Sequence, residues 1–452
     1  MADQWNNRNL FRLLWPLIVE QILGVTMGVA DTVMVSGIGE YAVSGISIVD
    51  VISILLINTF IALATGGAVV VSQYIGRRDT QGAALASKQL IYINAFFSLT
   101  LMALSLVFCR PLLRLIYGHI AADVMQAAQT YFLITALSFP FLAIYNSNAA
   151  LFRSVGNSRI TMKVALLVNI LNIGGNALLI YVFKIGVAGA ALSTLISRCA
   201  AAVLTMTILM RGHSPSISLT GIFTIKLRFS MVRSILNVGI PSGLENSMFQ
   251  LGKILVSRIV THFGTAAMAA NAVTNVVNSM SFMPGQAFGM ALLTVVGQCV
   301  GARDYENAKK YTAKLIRQSY VVMFVCCYGI FFCRQPLISL FNLSAEAGGM
   351  AMQFLFVYGV FTPFFWPLSF ALPNALKAAG DAKYCMTIAS ISMWACRVLG
   401  AHILAYGVGL GALGIWWSMI LDFSFRAFCY TRRWRGGRWM GKTVIVEEPK
   451  RV

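Results

Sequence analysis

Long apolar stretches recur along the whole chain. Each is about 20 residues or longer, the length that an α-helix needs to cross the hydrocarbon core of a bilayer. The first lacks the small-residue cleavage site of a signal peptide and is too long for one, so we expect it to be retained. The pattern predicts an all-α integral membrane protein with twelve transmembrane helices, at about residues 10–35, 47–72, 90–111, 127–150, 161–183, 187–210, 235–260, 267–298, 316–340, 351–375, 385–406 and 410–430.

The composition agrees with a membrane protein. Of the 452 residues, 58% are apolar and only 11% are charged. Soluble domains carry about a quarter of their residues as charges. The composition therefore excludes an ordinary soluble enzyme and a disordered scaffold.

The net charge of +20 could indicate a nucleic-acid partner, but its distribution indicates topology instead. With the N-terminus inside, 27 of the 35 Lys and Arg residues fall on the cytoplasmic side and only 5 on the outer side. The remaining three, Arg198, Lys253 and Arg397, lie inside spans. This asymmetry follows the positive-inside rule. It predicts that both termini are cytoplasmic, and it argues against nucleic-acid binding.

The chain contains an internal repeat. Residues 16–20 align with 241–245, 39–51 with 264–276, 72–79 with 297–304 and 186–193 with 411–418, all at an offset of 225, and 151–158 align with 375–382 at an offset of 224. Each copy has six spans, so both enter the membrane in the same direction and are related by an axis along the membrane normal. We expect an N-lobe at 1–210, a cytoplasmic linker at 211–233, a C-lobe at 234–430 and a basic tail at 431–452. Two such lobes predict a V-shaped transporter with its substrate cleft between them.

Acidic residues inside the spans are candidates for function, because an ionisable group costs a few kcal/mol there. They are Glu20, Asp31, Glu245 and Asp422, with Asp50 at the edge of a span. Glu20 and Asp31 are eleven residues apart and share a helix face. Asp422 could join Lys253 and Arg397 in a charge network, or pair with Arg426 four residues later.

Glu20 and Glu245 are equivalent under the repeat, and each follows a proline, Pro16 or Pro241, by four residues. Proline kinks helices, so we expect both helices to bend beside their glutamates. The repeat predicts that the two glutamates line opposite walls of one cleft. Nearby aromatic and Met side chains could hold lipophilic cations, although ordinary lipid-facing or core packing is the better explanation for any single one of them. They are Met248, Phe249, Met280, Phe282 and Met283.

Several motifs along the chain carry a resemblance to a known family. They are LLWPLIVEQ, GVADTVMVSGIGEYAVSGIS, SQYIGRRD with GQCVGARD, LFRSVGNS with ALKAAGDA, and NILNIGGNALLIY. Over nearly its whole length the chain resembles the multidrug and toxic compound extrusion (MATE) transporters. The resemblance implies a twelve-helix secondary antiporter of the bacterial inner membrane. It would export cationic amphiphilic compounds in exchange for protons or sodium, as a monomer and without a cofactor. The segment ISMWACRVLGA, and a tenth span without a carboxylate, are closer to the DinF-like branch.

The resemblance also implies a set of ion-coupling residues. Asp31 matches the aspartate that binds the coupling ion, and Asn172, Asn176 and Thr194 match its partners. Asn176 stands where the family pattern has an aspartate. Asp31 is therefore the single anion of the set, and it would be a metal ligand only if the coupling ion is sodium. The missing second carboxylate slightly favours protons as the coupling ion but leaves both ions open. Hydrogen bonding between helices is the alternative role for Asn172 and Asn176.

Three other functions have weaker support. Gly436 to Thr443 matches the P-loop expression but lacks the strand and the helix that nucleotide binding requires, so we expect no ATP binding. An intramembrane enzyme would need a nucleophile with an acid or a metal, and the nine cysteines lack ligand spacing. A lipid-linked precursor flippase usually has further helices and a strongly cationic cavity, whereas this predicted cleft contains Glu20 and Glu245.

Overall fold

A computed structural model describes residues 5–118, 121–212, 217, 219–222, 224–341 and 343–445, and within them all regular structure is helical. This confirms the all-α prediction. The first repeat forms α1 (Asn7–Ser36), α2 (Glu40–Gly76), α3 (Thr80–Tyr117), α4 (Ala122–Leu137), α5 (Phe139–Ser154), α6 (Ser158–Val182) and α7 (Val187–Met210). The second forms α8 (Phe229–Thr261), α9 (Gly264–Gly301), α10 (Tyr305–Phe332), the short α11 (Arg334–Ser339), α12 (Ala345–Ala378), α13 (Ala382–Gly407) and α14 (Ala412–Arg435).

The helices agree with twelve spans. Nine helices in the described residues are long and apolar enough to cross a membrane, and α4 with α5 makes a tenth span that bends by 48°. The helices α8 and α14 coincide with the two remaining predicted spans. Charged residues such as Lys253 and Arg426 make these two helices less apolar than the others.

The described chain divides into two compact units, Arg8–Gly239 (the N unit) and Ile240–Val444 (the C unit). The predicted linker belongs with the N unit, because Lys88 Nζ donates to the Thr220 carbonyl at 2.5 Å and Gln89 Nε2 donates to the Lys226 carbonyl at 2.8 Å. Parts of the predicted domains lie outside the described residues, namely 1–4 and 119–120 of the N-lobe, 213–216, 218 and 223 of the linker, 342 of the C-lobe and 446–452 of the tail. The lobe boundaries stay a prediction.

Matching turns follow the second span of each unit. Arg78 and Arg303, equivalent at the offset of 225, both adopt positive φ, at 63° and 57°. The next residue caps the following helix in both cases: Asp79 accepts from the Gly82 amide at 2.7 Å, and Asp304 accepts from the Asn307 amide at 3.2 Å. The repeated sequence therefore produces the same local structure twice.

The mostly aliphatic core of each unit also contains aromatic contacts and buried polar groups. In the N unit Phe60 of α2 contacts Phe139 of α5, with ring centroids 6.0 Å apart. Buried Asn94 of α3 donates to Ser147 Oγ at 2.8 Å, which satisfies a polar group inside the helix bundle. In the C unit Phe354 stacks on Trp416 at 5.5 Å.

Short π-helical segments occur in α6, α12 and α13. They comprise Ala177–Val182 at the end of α6, Pro367–Ala371 in α12, and Ser392–Leu399 and Ile403–Gly407 in α13. Such segments are rare and occur frequently at functional sites. Here they adjoin Asn176 and contain Arg397. Pro16 and Pro241 lie inside continuous helices, α1 and α8, and their role as kinks stays a prediction.

Candidate functional site

The four side chains expected at the ion site lie close together in the N unit. Asn176 Nδ2 of α6 donates to Asp31 Oδ1 of α1 at 2.5 Å. One turn earlier, Asn172 Nδ2 approaches Thr194 Oγ1 of α7 at 3.5 Å. Both asparagines are 1% exposed and Thr194 is 8% exposed. The helices α1, α6 and α7 thus bring one carboxylate, two amides and one hydroxyl together.

Two oxygen atoms of this site are buried and have no hydrogen-bond partner among the described residues. They are the side-chain carbonyl oxygens of Asn172 and Asn176. A buried acceptor without a donor costs about 1 to 3 kcal/mol. A cation or a protonated group beside Asp31 would satisfy such oxygens, so the donor set fits a positively charged ligand.

A half-buried arginine lies near this site, and its contacts were not predicted from the sequence. Arg198 Nη1 of α7 donates to Ser138 Oγ at the break between α4 and α5, at 2.7 Å. Its charge interacts with those of Asp31 and Asp50. Arg198 follows Thr194 by four residues on the same helix, and this spacing was the available signal. The arginine provides a fixed positive charge beside the carboxylates.

Glu20 forms an ion pair inside the N unit. Arg153 Nη1 of α5 lies 3.0 Å from Glu20 Oε1, and Thr161 Oγ1 of α6 donates to Glu20 Oε2 at 2.7 Å. The side chains of Arg153 and Glu20 are 19% and 11% exposed. Glu20 is therefore neutralised within its own unit.

The C unit has the equivalent pair. Lys377 Nζ of α12 lies 2.9 Å from Glu245 Oε2 of α8, with exposures of 10% and 14%. The blocks 151–158 and 375–382 place Arg153 and Lys377 at equivalent positions. From the sequence we expected both glutamates to be anions that line a cleft, and we did not predict their pairing with Arg153 and Lys377. The repeated basic residue in those aligned blocks was a signal that could have found them.

The residues proposed as cleft lining do not share one environment. Phe249 belongs to an aromatic cluster of the C unit, where its ring centroid lies 6.1 Å from that of Phe370. Met283 is buried in α9, Met280 is 56% exposed and Met248 is half-buried. Their roles in substrate binding stay predictions.

Asp422 forms the predicted pair with Arg426 and contacts Arg397, whereas no described ion pair joins it to Lys253, the third member of the predicted network. Arg426 Nε donates to Asp422 Oδ1 at 2.7 Å as an i,i+4 pair, and Arg397 Nη1 reaches Oδ2 at 3.5 Å. Ser392 also donates to Oδ1. Asp422 is fully buried, so a single carboxylate holds two guanidinium groups inside the C unit.

A model of the MatE family matches residues 16–178 and again residues 241–403, which together form more than half of the chain. The chain belongs to the MatE family. The two matched segments are related by the offset of 225, and this confirms the repeat. The resemblance to the multidrug and toxic compound extrusion transporters is thereby confirmed, whereas the DinF-like branch stays a prediction. The MatE chain is a membrane transporter and not an enzyme.

Relatives and solved structures agree with this family. The chain is 28% identical to YisQ of Bacillus subtilis, an uncharacterized transporter, over 96% of this chain and 95% of YisQ. It is 26% identical to a probable multidrug resistance protein NorM of Thermotoga maritima, over 98% of this chain and 95% of NorM. Among solved structures, a MATE protein in the bent conformation matches with a TM-score of 0.87 at 18% identity, over 95% and 94% of the two chains. A MOP superfamily transporter from Pyrococcus furiosus, described by a binding pocket of reverse polarity, matches with a TM-score of 0.89 at 18% identity, over 96% and 95%. These structural likenesses show the fold.

The P-loop-like segment of the MatE chain has a different local role. Lys442 Nζ lies 2.5 Å from Asp381 Oδ1, and Arg433 Nε lies 2.7 Å from Oδ2 of the same carboxylate. Trp439 stacks on Trp434 with centroids 4.2 Å apart. The lysine that would bind phosphate in a P-loop instead anchors the end of the chain to the start of α13.

Proposed function

We propose that the MatE chain is a secondary active antiporter that exports cationic amphiphilic compounds, with Asp31 as the residue that takes up the coupling ion. The observation that carries the proposal is the Asp31–Asn176 hydrogen bond beside the unsatisfied oxygens of Asn172 and Asn176. In the proposed cycle of alternating access, an ion entering from outside neutralises Asp31 and substrate is released outward. The driving force is about 2.3 kcal/mol per charge per 100 mV, together with the ion gradient.

The donor set supports protons slightly more than sodium. Sodium needs several oxygen ligands with enough negative charge, and this site offers one carboxylate, because Asn176 stands at the position of the second. The amide oxygens of Asn172 and Asn176 and the Thr194 hydroxyl could still coordinate Na⁺ with Asp31. Both ions remain part of the proposal, and no other cofactor is proposed.

The remaining parts of the proposal concern setting and partners. The 27 cytoplasmic Lys and Arg residues support an inner-membrane protein with both termini in the cytoplasm. We expect it to act as a monomer on small lipophilic cations, without ATP or nucleic acid.

Transport of an anionic amphiphile, the class that includes lipid-linked precursors, is a second candidate function. The main argument against an anionic substrate was that Glu20 and Glu245 would make the cleft acidic. This argument is weaker in the structure, because each glutamate has a basic partner at 3.0 or 2.9 Å.

Reconstituted protein tests the antiport proposal. In proteoliposomes, a gradient of tetraphenylphosphonium should drive counter-movement of protons or sodium by the wild type, and Asp31→Asn should abolish it. Asp123→Asn, which removes an exposed acid of the same unit, is the matched control and should leave the flux unchanged. Undiminished coupled flux in Asp31→Asn would refute the role of Asp31. Coupling that persists without sodium would exclude Na⁺ as the obligatory ion.

A further inference from the structure

The spans of the C unit carry more positive than negative charge. The acids Glu245 and Asp422 are both engaged at short distance, by Lys377 at 2.9 Å and Arg426 at 2.7 Å. Two cations remain, Lys253 of α8 and Arg397 of α13. Charges of one sign inside a span are costly unless something compensates them, so this pair requires an explanation.

Arg397 is only weakly compensated. Its Nη1 lies 3.5 Å from Asp422 Oδ2, whereas the other oxygen of that carboxylate accepts from Arg426 and Ser392. One negative charge therefore serves two guanidinium groups. The Arg397 guanidinium carbon lies 5.6 Å from the Phe249 ring centroid, which places the group beside α8.

Lys253 lies one helical turn after Phe249. Unlike Arg397, it forms no ion pair with a carboxylate among the described residues. Its charge interacts with that of Arg397, and the interaction is repulsive. Among the described residues no carboxylate oxygen lies within 4.0 Å of Lys253 Nζ. The side chain is exposed in the unit, so a ligand can reach it. An anion next to both groups would turn the repulsion into two favourable pairs.

The repeat gives this pair a defined place in the fold. At the offset of 225, Arg397 is equivalent to Asn172 and Val256 is equivalent to Asp31. Where the ion site of the N unit has the acid Asp31, the C unit has the apolar Val256. Where the N unit has the amide of Asn172, the C unit has the positively charged Arg397. At these two pairs of equivalent positions, the N unit carries one negative charge and the C unit carries one positive charge.

We propose that Lys253 and Arg397 form a binding site for the anionic head group of an amphiphile, such as a phosphate monoester. The planar guanidinium matches phosphate oxygens in a bidentate manner, and the lysine adds a point charge. Leu251 and Ile254 flank Lys253 on α8 and are 41% and 51% exposed, so apolar surface is available for an acyl chain. The proposal names the site for the second candidate function and does not depend on Asp31 or on cation export.

Binding of octyl phosphate to the full-length protein in maltoside micelles tests the site. Isothermal titration with subtraction of empty micelles should show binding to the wild type. Lys253→Ala should weaken it about tenfold or more, as expected for a lost hydrogen bond between charged groups. Lys253→Arg should retain most of the affinity. Lys184→Ala removes an exposed lysine of the N unit and should bind like the wild type.

Competing ligands identify the chemistry. Octyltrimethylammonium and octyl glucoside should not compete, since they share the chain but not the negative charge. Inorganic phosphate should compete far more weakly than octyl phosphate. If the two compounds compete equally well, the ligand is free phosphate and the proposal of an amphiphilic ligand is wrong. If Lys253→Ala and Lys184→Ala bind octyl phosphate with equal affinity, the proposed site is wrong. The titration requires no ion gradient, so its outcome is separate from that of the Asp31→Asn flux experiment.

Discussion

Arg153 and Lys377 occupy equivalent positions in the two repeats, and each pairs with the equivalent glutamate of its own unit. The distances are nearly the same, 3.0 Å from Arg153 to Glu20 and 2.9 Å from Lys377 to Glu245. Each pair connects the first span of a unit to its fourth span. The arrangement occurs twice with different basic residues, which indicates that the position requires a positive charge more than a particular side chain.

Removing one partner of this pair should destabilise the protein. Arg153→Ala removes the guanidinium group from Glu20, which keeps the hydrogen bond from the Thr161 hydroxyl. Breaking a buried pair costs about 3 to 5 kcal/mol, and partial exposure of both ends reduces this to roughly 2 to 3 kcal/mol. Thermal unfolding followed by intrinsic fluorescence should show a lower Tm for Arg153→Ala.

Two further variants separate the ion pair from general effects. Lys163→Ala removes an exposed lysine of the same unit and should leave the Tm unchanged. Adding Glu20→Gln to Arg153→Ala should recover part of the loss, because the uncompensated charge is gone. Equal melting temperatures for Arg153→Ala and Lys163→Ala would show that the pair contributes nothing.

The sequence predicted the spans and the repeat well, because both depend on long-range patterns of apolar residues and on repeated blocks. The family resemblance also led us to expect Asp31 and Asn176 in one site; the two side chains are hydrogen-bonded, and their role in ion coupling stays a prediction. It missed the break at Ser138, because the apolar pattern runs through it and a helix bend depends on local packing. It missed Arg153 and Lys377 as partners, since pairing between distant helices depends on side-chain directions that sequence spacing does not supply.

Asp422 should be among the most sensitive positions of the C unit. Asp422→Asn removes the one charge that compensates Arg397 and Arg426 and leaves both guanidinium groups inside the spans. We expect a loss of about 3 to 5 kcal/mol in the free energy of unfolding, as for other broken buried pairs. Size-exclusion profiles after heating should show earlier loss of the folded peak. Ser424→Ala on the same helix is the control, and equal behaviour of the two variants would contradict the prediction.

Restoring the second carboxylate at the N-unit site should create a response to sodium. In Asn176→Asp the new acid lies beside Asp31, so the two carboxylates repel each other unless a proton or a cation lies between them. The variant should be less stable than the wild type in potassium buffer. Sodium at about 100 times its Kd should then stabilise it by about 2.7 kcal/mol.

Melting curves in matched NaCl and KCl buffers measure this difference. Asn169→Asp adds an acid two turns earlier on the same helix and should lose stability without gaining a sodium response. A sodium response of equal size in both variants would show that the effect is not specific to the Asp31 site.

The contacts of Asp381 should protect the end of the chain from proteolysis. Its carboxylate is 3% exposed and holds Arg433 at 2.7 Å and Lys442 at 2.5 Å. Asp381→Asn removes the charge that anchors both residues, so trypsin should cleave after Arg435, Arg438 or Lys442 several times faster. Mass spectrometry of timed digests of the purified protein measures the rate. Glu306→Gln, which changes an exposed acid near the start of α10, should leave the rate unchanged. Because Lys442 is engaged by Asp381 and not by phosphate, ATP should not slow cleavage in the wild type, and protection by ATP would overturn this account of the P-loop-like segment.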